Sequence, residues 1–540
     1  MSPASRQMIA EQIVEAAARV GSTWAFGVPG GGSNLDIAGA CGRHGIRFIL
    51  THTETAAALM AGVAGELTGA PGIALATRGP GAASAANGVA NALLERTPMV
   101  LVTDCVTEED RPRISHQRFD QQAFFAPVTL ASTALNGVDS SLAESAVGAT
   151  LVQPPGPVHL DVDPSATHPV RVSRTPSDRV IPGDLADLLA EARRPVIVVG
   201  VGVVSLPPKQ VASVTSMIND LAARSHVPVL TTYKARGVVP DGAEYNAGVV
   251  TGATIERHAL HEADLIIGLG FDPVELLPTP WEYGAPVILA GGWVVEDSDF
   301  FGERLAATVV GPLQELVEAI ASGLHSEWSE GTGRRFSLQL QEACRSGNRE
   351  TQMGMHPSDV VEIVSDQVPS GSMATVDAGA HMLVAVPLFH VEEPHHMLVS
   401  SGYATMGFAV PAAIAASLVC PDRRVVAFTG DGGAGMVLGE LETLARLGLP
   451  VVVVVFNDSL LSLIAVKQRP DDQGGPEVVN YATTDFAKVA QGCGMRAWRA
   501  RSSGELKDAM ALALEYQGPS LIDVVVDPSS YSQIYAALRE

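Results

Sequence analysis

Two kinds of stretch alternate along this chain. Short runs of β-branched and aliphatic residues are followed by longer Ala/Leu-rich segments with helical spacing. The clearest runs are Val100–Thr103, Val158–Val162, Pro195–Val199, Leu265–Leu269, Val425–Thr429, Val451–Phe456 and Leu521–Val526. They lack the in–out alternation of a half-buried strand, so each reads as a parallel strand covered on both faces. Strands separated by helices predict an α/β protein built from doubly wound parallel sheets. The opening MSPASRQMIAEQIVEAAARVG carries Glu11 and Glu15 within an apolar pattern. It reads as an amphipathic helix capped near Ser5, not a secretory signal. The longest apolar run, Gly407 to Cys420, contains Pro411 and is too short to span a bilayer.

Two polar breaks divide the pattern. Residues 164–184 are rich in Pro, Ser and Arg, and residues 322–336 in Gly, Ser and charge. They predict three doubly wound domains, at 1–165, 183–322 and 350–540. A length of 540 residues suits that number.

Composition narrows the classes. Hydrophobic residues make up 46% and charged residues 17%, which excludes a disordered chain. With 35 basic and 59 acidic residues the net charge is −24. That argues against nucleic acid and anionic membranes as partners. An anionic substrate would then need a locally basic site. Cys41, Cys105, Cys344, Cys420 and Cys493 are scattered, with no C-x-x-C pair. They read as reduced thiols of a soluble cytoplasmic protein.

The segment 425–464, VVAFTGDGGAGMVLGELETLARLGLPVVVVVFNDSLLSLI, carries the strongest chemical signal. One strand ends at Gly430-Asp431-Gly432, a helix follows, and the next strand ends at Asn457-Asp458. Parallel strands deliver both endings to the same sheet edge, where Asp431 and Asp458 could share a cation. Gly432, Gly433 and Gly435 let backbone N–H groups approach an anion at a helix N-terminus. Carboxylates and phosphate around Mg²⁺ form a hard-ligand set.

This spacing resembles the signature of thiamine diphosphate (ThDP) enzymes, with Asp458 in place of the second Asn. Other segments match in order. GVPGGGSNLD (27–36), with Pro29 and Gly30, and THTETAAALMAGVAGELTG (51–69) resemble the pyrimidine-binding domain. ATRGPGAASAANGVANALLERTPMVLVTD (76–104) and SGYATMGFAVPAAIAA (401–416) resemble segments of acetolactate synthases. The resemblance spans almost the whole chain. It implies pyrimidine-binding, central and diphosphate-binding domains, with ThDP and Mg²⁺ as cofactors. Asp431, Asp458 and the Leu460 carbonyl would hold the metal, and Gly430, Gly432 and Gly433 would flank the diphosphate. Glu54 falls where the family keeps the catalytic acid that hydrogen-bonds the aminopyrimidine. Met406 matches the bulky residue that bends the cofactor, and Ala404 and Met406 would contact the pyrimidine. Gly379 and His381 lie in a D-x-G-x-H stretch near the diphosphate. The family places its acid across a subunit interface, which implies a homodimer or homotetramer.

Within the family the acetolactate synthase branch fits best. GLGFDPVEL (268–276) is similar to the FAD-free catabolic enzymes, with Gly270 where the FAD enzymes carry Arg, so FAD is not expected. The implied reaction is decarboxylation of a 2-oxo acid and ligation of the product to a second carbonyl. A non-ligating decarboxylase, similar to benzoylformate or sulfopyruvate decarboxylases, and a 2-hydroxyacyl-CoA lyase are the alternatives. Arg78 replaces the Ser of the synthase SGPG motif, His116-Gln117-Arg118 replaces F-Q-E, and Lys467 stands near the residue that selects the second substrate. Arg78, His116, Gln117 and Lys467 are thus expected on the substrate side. With Arg118 and Lys234 the cations among them suggest a substrate carrying an anionic or polar group beyond that of pyruvate.

Overall fold

A computed structural model describes residues 3–168, 170–178, 185–349, 353–468 and 476–539. The boundary positions 1, 183, 350 and 540, and part of the 164–184 linker, lie outside them. The chain forms two compact blocks. One comprises Met1–Pro176 with Ile414–Val419, the other Ser177–Ala413 with Cys420–Glu540.

The first block holds a six-stranded sheet: β1 (Trp24–Val28), β2 (Arg47–Leu50), β3 (Gly72–Ala76), β4 (Met99–Asp104), β5 (Ala131–Leu135) and β6 (Pro157–Val162), in the order β2-β1-β3-β4-β6-β5. The second block holds two more. One comprises β7 (Pro195–Val199), β8 (Val229–Thr231), β9 (Asn246–Val249), β10 (Leu265–Leu269), β11 (Val287–Gly291) and β12 (Leu305–Val310), ordered β12-β11-β10-β7-β8-β9. The other comprises β13 (Met373–Val376), β14 (Met397–Val399), β15 (Val425–Gly430), β16 (Val451–Asn457), β17 (Arg496–Ala500) and β18 (Ser520–Val525), ordered β14-β13-β15-β16-β18-β17. The strands pair in parallel, and the fold is α/β with three doubly wound sheets, as the apolar runs predict. Val451–Val455 is buried on both faces, which is why that run shows no alternation.

Two expectations need correction. The first helix runs Pro3–Arg19, through Ser5 rather than capped there. The polar stretch 322–336 is not all linker. The helix Leu313–Gly323 reaches past 322, and a further helix, Thr332–Cys344, begins inside the stretch. Its buried Phe336, Leu340 and Cys344 recur every four residues, so one apolar stripe lies hidden among polar neighbours. No helix among the described residues is long and apolar enough to cross a membrane.

The helix Glu54–Thr68 is held close to its sheet. Small residues dominate it, and it packs against β3 and the helix Pro80–Leu94. A Cβ at Gly72 would overlap the Ala61 carbonyl. Gly72→Ala should therefore lift the helix from β3 at a cost of about 1–3 kcal/mol. Thermal and denaturant unfolding check this: a fall in the unfolding midpoint is expected, and an unchanged one refutes the packing argument.

Candidate active site

In the third sheet β13 and β15 are neighbours, and the chain leaves them toward opposite edges. The carboxyl ends of such strands form a crevice suited to a ligand. Here that crevice opens into a cavity of about 330 Å³. Gly379, His381, Ala404, Met406, Gly430, Asp431, Gly432, Gly433, Asp458, Leu460 and Lys467 all line it. These are eleven of the residues singled out in the sequence.

Asp431 begins the helix Asp431–Met436, directly after β15, and Asp458 follows β16. The strands run in register, with Gly430 opposite Phe456, so the two carboxylates emerge side by side. Asp431 accepts from Gly432 N at 2.7 Å and from Ser459 N at 2.6 Å. Asp458 accepts from Leu460 N at 3.0 Å and from the Ser462 hydroxyl. Ser459 takes a left-handed φ of 61°, an uncommon conformation that lets its N–H face Asp431. Burial pushes the Asp458 carboxyl up to about 7, and the charge of Asp431 adds to the effect. Asp431 is raised too, chiefly by burial. No ion pair reaches either carboxylate among the described residues. Two buried like charges without a counter-ion are costly, and a bound divalent cation removes that cost.

The cradle beside them fits an anion. A Cβ at Gly433 would overlap the Asp377 carboxylate, so only glycine lets this turn close on the strand end. Asp377 accepts from the Thr429 hydroxyl at 2.6 Å and from Ala409 N at 2.7 Å, and burial raises it to about 6. His381 is 3% exposed and stacks on Phe456 at 5.4 Å. Its Nε2 is buried with no hydrogen-bond partner in the protein, on a residue lining the cavity. Burial lowers its pKa to about 4, so it stands there as a neutral imidazole. A ligand oxygen would satisfy that orphaned atom. Ala404, with φ 52°, and Met406 form the neighbouring wall. No cluster of three or more His, Cys, Asp or Glu side chains suited to a metal occurs among the described residues. A hard cation would therefore rest on the two carboxylates and supplementary oxygens, as Mg²⁺ does.

The first block carries the other predicted residues. Glu54 is the first residue of its helix, half-buried, with Thr53 as cap accepting from Ala56 N at 3.1 Å. Gly81 faces it: a Cβ there would lie 2.9 Å from Glu54 Oε1. Gln117, at φ 55°, backs onto Gly79 in the same turn, and Gln121 Oε1 accepts from Gly79 N at 3.1 Å. Arg78 is half-buried and its charge acts on Asp104, while Ser33 donates to Asp104 at 2.7 Å. Glu54, Arg78 and Gln117 thus gather at the N-terminus of the Pro80–Leu94 helix. His116 and Arg118 are exposed, and the Arg118 guanidinium donates to the Arg111 carbonyl. Pro29 and Gly30 follow β1, with Gly30 N donating to Asn34 Oδ1 at 3.0 Å. Lys234 is 2% exposed and does not line the cavity of the second block, so the expected grouping of cations loses that member. Among the lining residues that the sequence reading missed are Leu277, Tyr531, Tyr535 and Arg539. The last three recur every four residues on the helix Ser529–Arg539, a periodicity that was legible.

Family models for thiamine pyrophosphate (that is, thiamine diphosphate) enzymes match the chain in three places. The N-terminal TPP binding domain matches residues 7–124, the central domain 183–286, and the C-terminal TPP binding domain 377–524. The chain belongs to the ThDP-dependent enzyme superfamily. This ThDP enzyme is similar to an acetolactate synthase of Bacillus subtilis (strain 168), 28% identical over 551 residues, covering 96% of this chain and 93% of that protein. It is similar to a catabolic acetolactate synthase of Raoultella terrigena, 28% identical over 543 residues and covering 96% and 95%. The large subunit of acetolactate synthase isozyme 1 from Escherichia coli (strain K12) is 25% identical over 547 residues, covering 96% and 94%.

The buried pair makes a prediction for this ThDP enzyme. Asp458→Asn should raise the unfolding temperature of the cofactor-free protein, because it removes one of two mutually repelling charges. That change keeps an amide oxygen, the donor the family's second Asn supplies, whereas Asp458→Ala removes the ligand and should weaken Mg²⁺-dependent ThDP binding by about 100-fold. Thermal melts with and without ThDP and Mg²⁺ read both effects. An Asp458→Ala variant whose melting point still rises normally with cofactor would contradict the metal role.

Proposed function

We propose that this enzyme decarboxylates a 2-oxo acid and joins the retained acyl carbon to a second carbonyl, using ThDP and Mg²⁺. The observation that carries the cofactor chemistry is the pair of buried, uncompensated carboxylates beside a glycine cradle and an orphaned histidine nitrogen. The relatives named acetolactate synthases support the ligation step. Bound ThDP supplies a nucleophilic carbon and an electron sink for loss of the carboxylate.

The chain's own residues have distinct tasks in this reading. Asp431, Asp458 and the Leu460 carbonyl hold the metal, and Gly430, Gly432 and Gly433 leave room for the diphosphate. Gly379 brings the chain in close beside His381, whose Nδ1 proton is taken by backbone carbonyls and whose Nε2 donates to a phosphate oxygen once the bound anion draws a second proton onto the ring. Ala404 and Met406 shape the wall against the pyrimidine. Glu54 holds a hydrogen bond to the pyrimidine ring nitrogen and so fixes where the exocyclic amine keeps its protons. Its place at a helix start, with Gly81 close to its carboxylate, supports that task. Arg78, His116 and Gln117 belong to the substrate side by resemblance to the family, and Pro29 and Gly30 to the cofactor side.

The reading includes no FAD. A side chain at Gly270 would lie 2.7 Å from Val203 N, and the space lined by Gly270, β11, Trp293 and Thr308 amounts to about 10 Å³. The family also implies a homodimer or homotetramer, which sedimentation of the purified protein checks. Lys467 on the cavity wall supports a second reading, a non-ligating decarboxylase, because synthases select their second substrate near that position.

Product analysis with ThDP, Mg²⁺ and 2-oxo acids separates the two readings. A hydroxy-oxo acid or hydroxyketone marks ligation, and an aldehyde alone marks simple decarboxylation. Glu54→Gln should slow turnover by about 10²–10⁴-fold and slow H/D exchange at the cofactor C2, with ThDP binding largely kept. Undiminished exchange would overturn the role given to Glu54.

A further inference from the structure

The cavity wall is chemically lopsided. Its acidic end is Asp431 and Asp458. Two helices leave that end and pack against each other. Ser462–Lys467 starts where the Ser462 hydroxyl donates to Asp458. Ser529–Arg539 passes the acidic end at Tyr531, a fully buried side chain whose hydroxyl feels the charges of both aspartates. Each helix then ends on a cation that lines the same cavity, Lys467 on one and Arg539 on the other. Arg539 lies eight residues beyond Tyr531, roughly 12 Å along the helix axis.

Arg539 is also positioned in advance. The side chain of Tyr233, a residue 7% exposed, lies within electrostatic reach of its guanidinium. The last helical turn is tied down as Leu538 O accepts from Thr254 N and Ile255 N, both at 3.3 Å, and from the Thr254 hydroxyl at 3.1 Å. The nearby acid, Glu256, is committed to Thr251 N at 3.1 Å and Ala253 N at 2.6 Å. Burial pushes its carboxyl up to about 7, so at neutral pH it offsets the Arg539 charge only in part. Between the two ends the wall is mostly aliphatic, with Leu277, Leu383, Leu463 and Ile464. Lys467 is exposed and Arg539 part-buried, so the pair sits at the solvent side of the cavity, where an entering anion meets both.

We infer that Lys467 and Arg539 recognise a second acidic group on the substrate, so that this enzyme acts on a 2-oxo acid carrying a further carboxylate, phosphonate or sulfonate. The inference rests on the 2-oxo acid reading above. Lys467 supplies a mobile point charge, while Arg539 offers a planar fork on a helix end tied down through the Leu538 carbonyl.

The test uses the full-length enzyme with ThDP and Mg²⁺, and compares CO₂ release from pyruvate and 2-oxopentanoate with release from 2-oxoglutarate, 3-phosphonopyruvate and 3-sulfopyruvate. At least one doubly charged acid should exceed the singly charged ones about tenfold or more in kcat/KM. Lys467→Gln and Arg539→Gln should each reduce that ratio by about 10- to 100-fold, mainly through KM, the range for a hydrogen bond to a charged group. Lys467→Arg and Arg539→Lys should retain most of it. In the unmodified enzyme succinate should inhibit more strongly than butyrate, a comparison that needs no variant to fold. A preference for singly charged acids, or equal inhibition by the two, overturns the inference and leaves the 2-oxo acid reading standing. Loss of ThDP affinity in Lys467→Gln or Arg539→Gln, read by fluorescence titration, with the substrate ratio unchanged, assigns the cations to the diphosphate and also overturns it. Failure of every 2-oxo acid to release CO₂ overturns both.

Discussion

Two carboxylates buried at neighbouring strand ends repel each other, and the surrounding architecture is arranged around that cost. Asp431 and Asp458 each accept backbone N–H groups from the turns that follow them, and one of those turns forces Ser459 into a left-handed conformation. These hydrogen bonds favour ionised carboxylates, yet burial still holds both above the ordinary carboxylate range. A bound cation would resolve the conflict, and in the proposed function it would then serve the stability of this sheet edge as well as its chemistry. The turn Ser459–Leu461 is fastened from outside, with Tyr481 N donating to Ser459 O and Leu461 N to Val479 O, both at 2.8 Å.

The sheet that carries this pair has a counterpart. Its order, β14-β13-β15-β16-β18-β17, repeats the connectivity of the first sheet, β2-β1-β3-β4-β6-β5, strand for strand. The turn Gly79-Pro80-Gly81 after β3 therefore occupies the same topological place as Gly430-Asp431-Gly432 after β15. One turn faces Glu54 and the other presents Asp431. Under the proposed function the two copies of one topology serve opposite needs, an acid for a ring nitrogen and a metal for a diphosphate. The repeat is invisible as sequence because parallel sheets need only apolar runs and tight turns, and many residue choices satisfy both.

The parts legible in the sequence were those fixed by local chemistry. β7 and β10 match their predicted bounds to the residue, because each is a pure apolar run between polar or glycine neighbours. Interior strands such as β1, β3, β8, β11 and β13 were not marked, and neither were the edge strands β5 and β17 (ASTAL and RAWRA). β5 and β17 are only partly buried, which relaxes the demand for aliphatic residues there. The G-D-G and N-D turns were legible for the same local reason, as was the acid at a helix start. Arg539 and Tyr531 were not, because only tertiary packing brings the last helix of the chain to a sheet edge formed about a hundred residues earlier. Lys234 shows the converse. Its motif neighbours suggested a pocket cation, but the fold buries it away from the cavity.

Net charge and local charge part company here. The chain carries −24, yet the cavity wall includes Lys467 and Arg539. Surface carboxylates act through water and salt, and fade beyond a Debye length of roughly 8–10 Å. Lys467, exposed, and Arg539, part-buried, stand within that distance of an anion in the cavity, so the nearest charges outweigh the many distant ones. The result is a cavity that is negative at the strand ends and positive at the helix ends. Such a polarity orients any molecule that brings a cation to one end and an anion to the other. Overall acidity then has a separate consequence: it repels polyanions such as nucleic acids from the surface, while the site still accepts small anions that enter it.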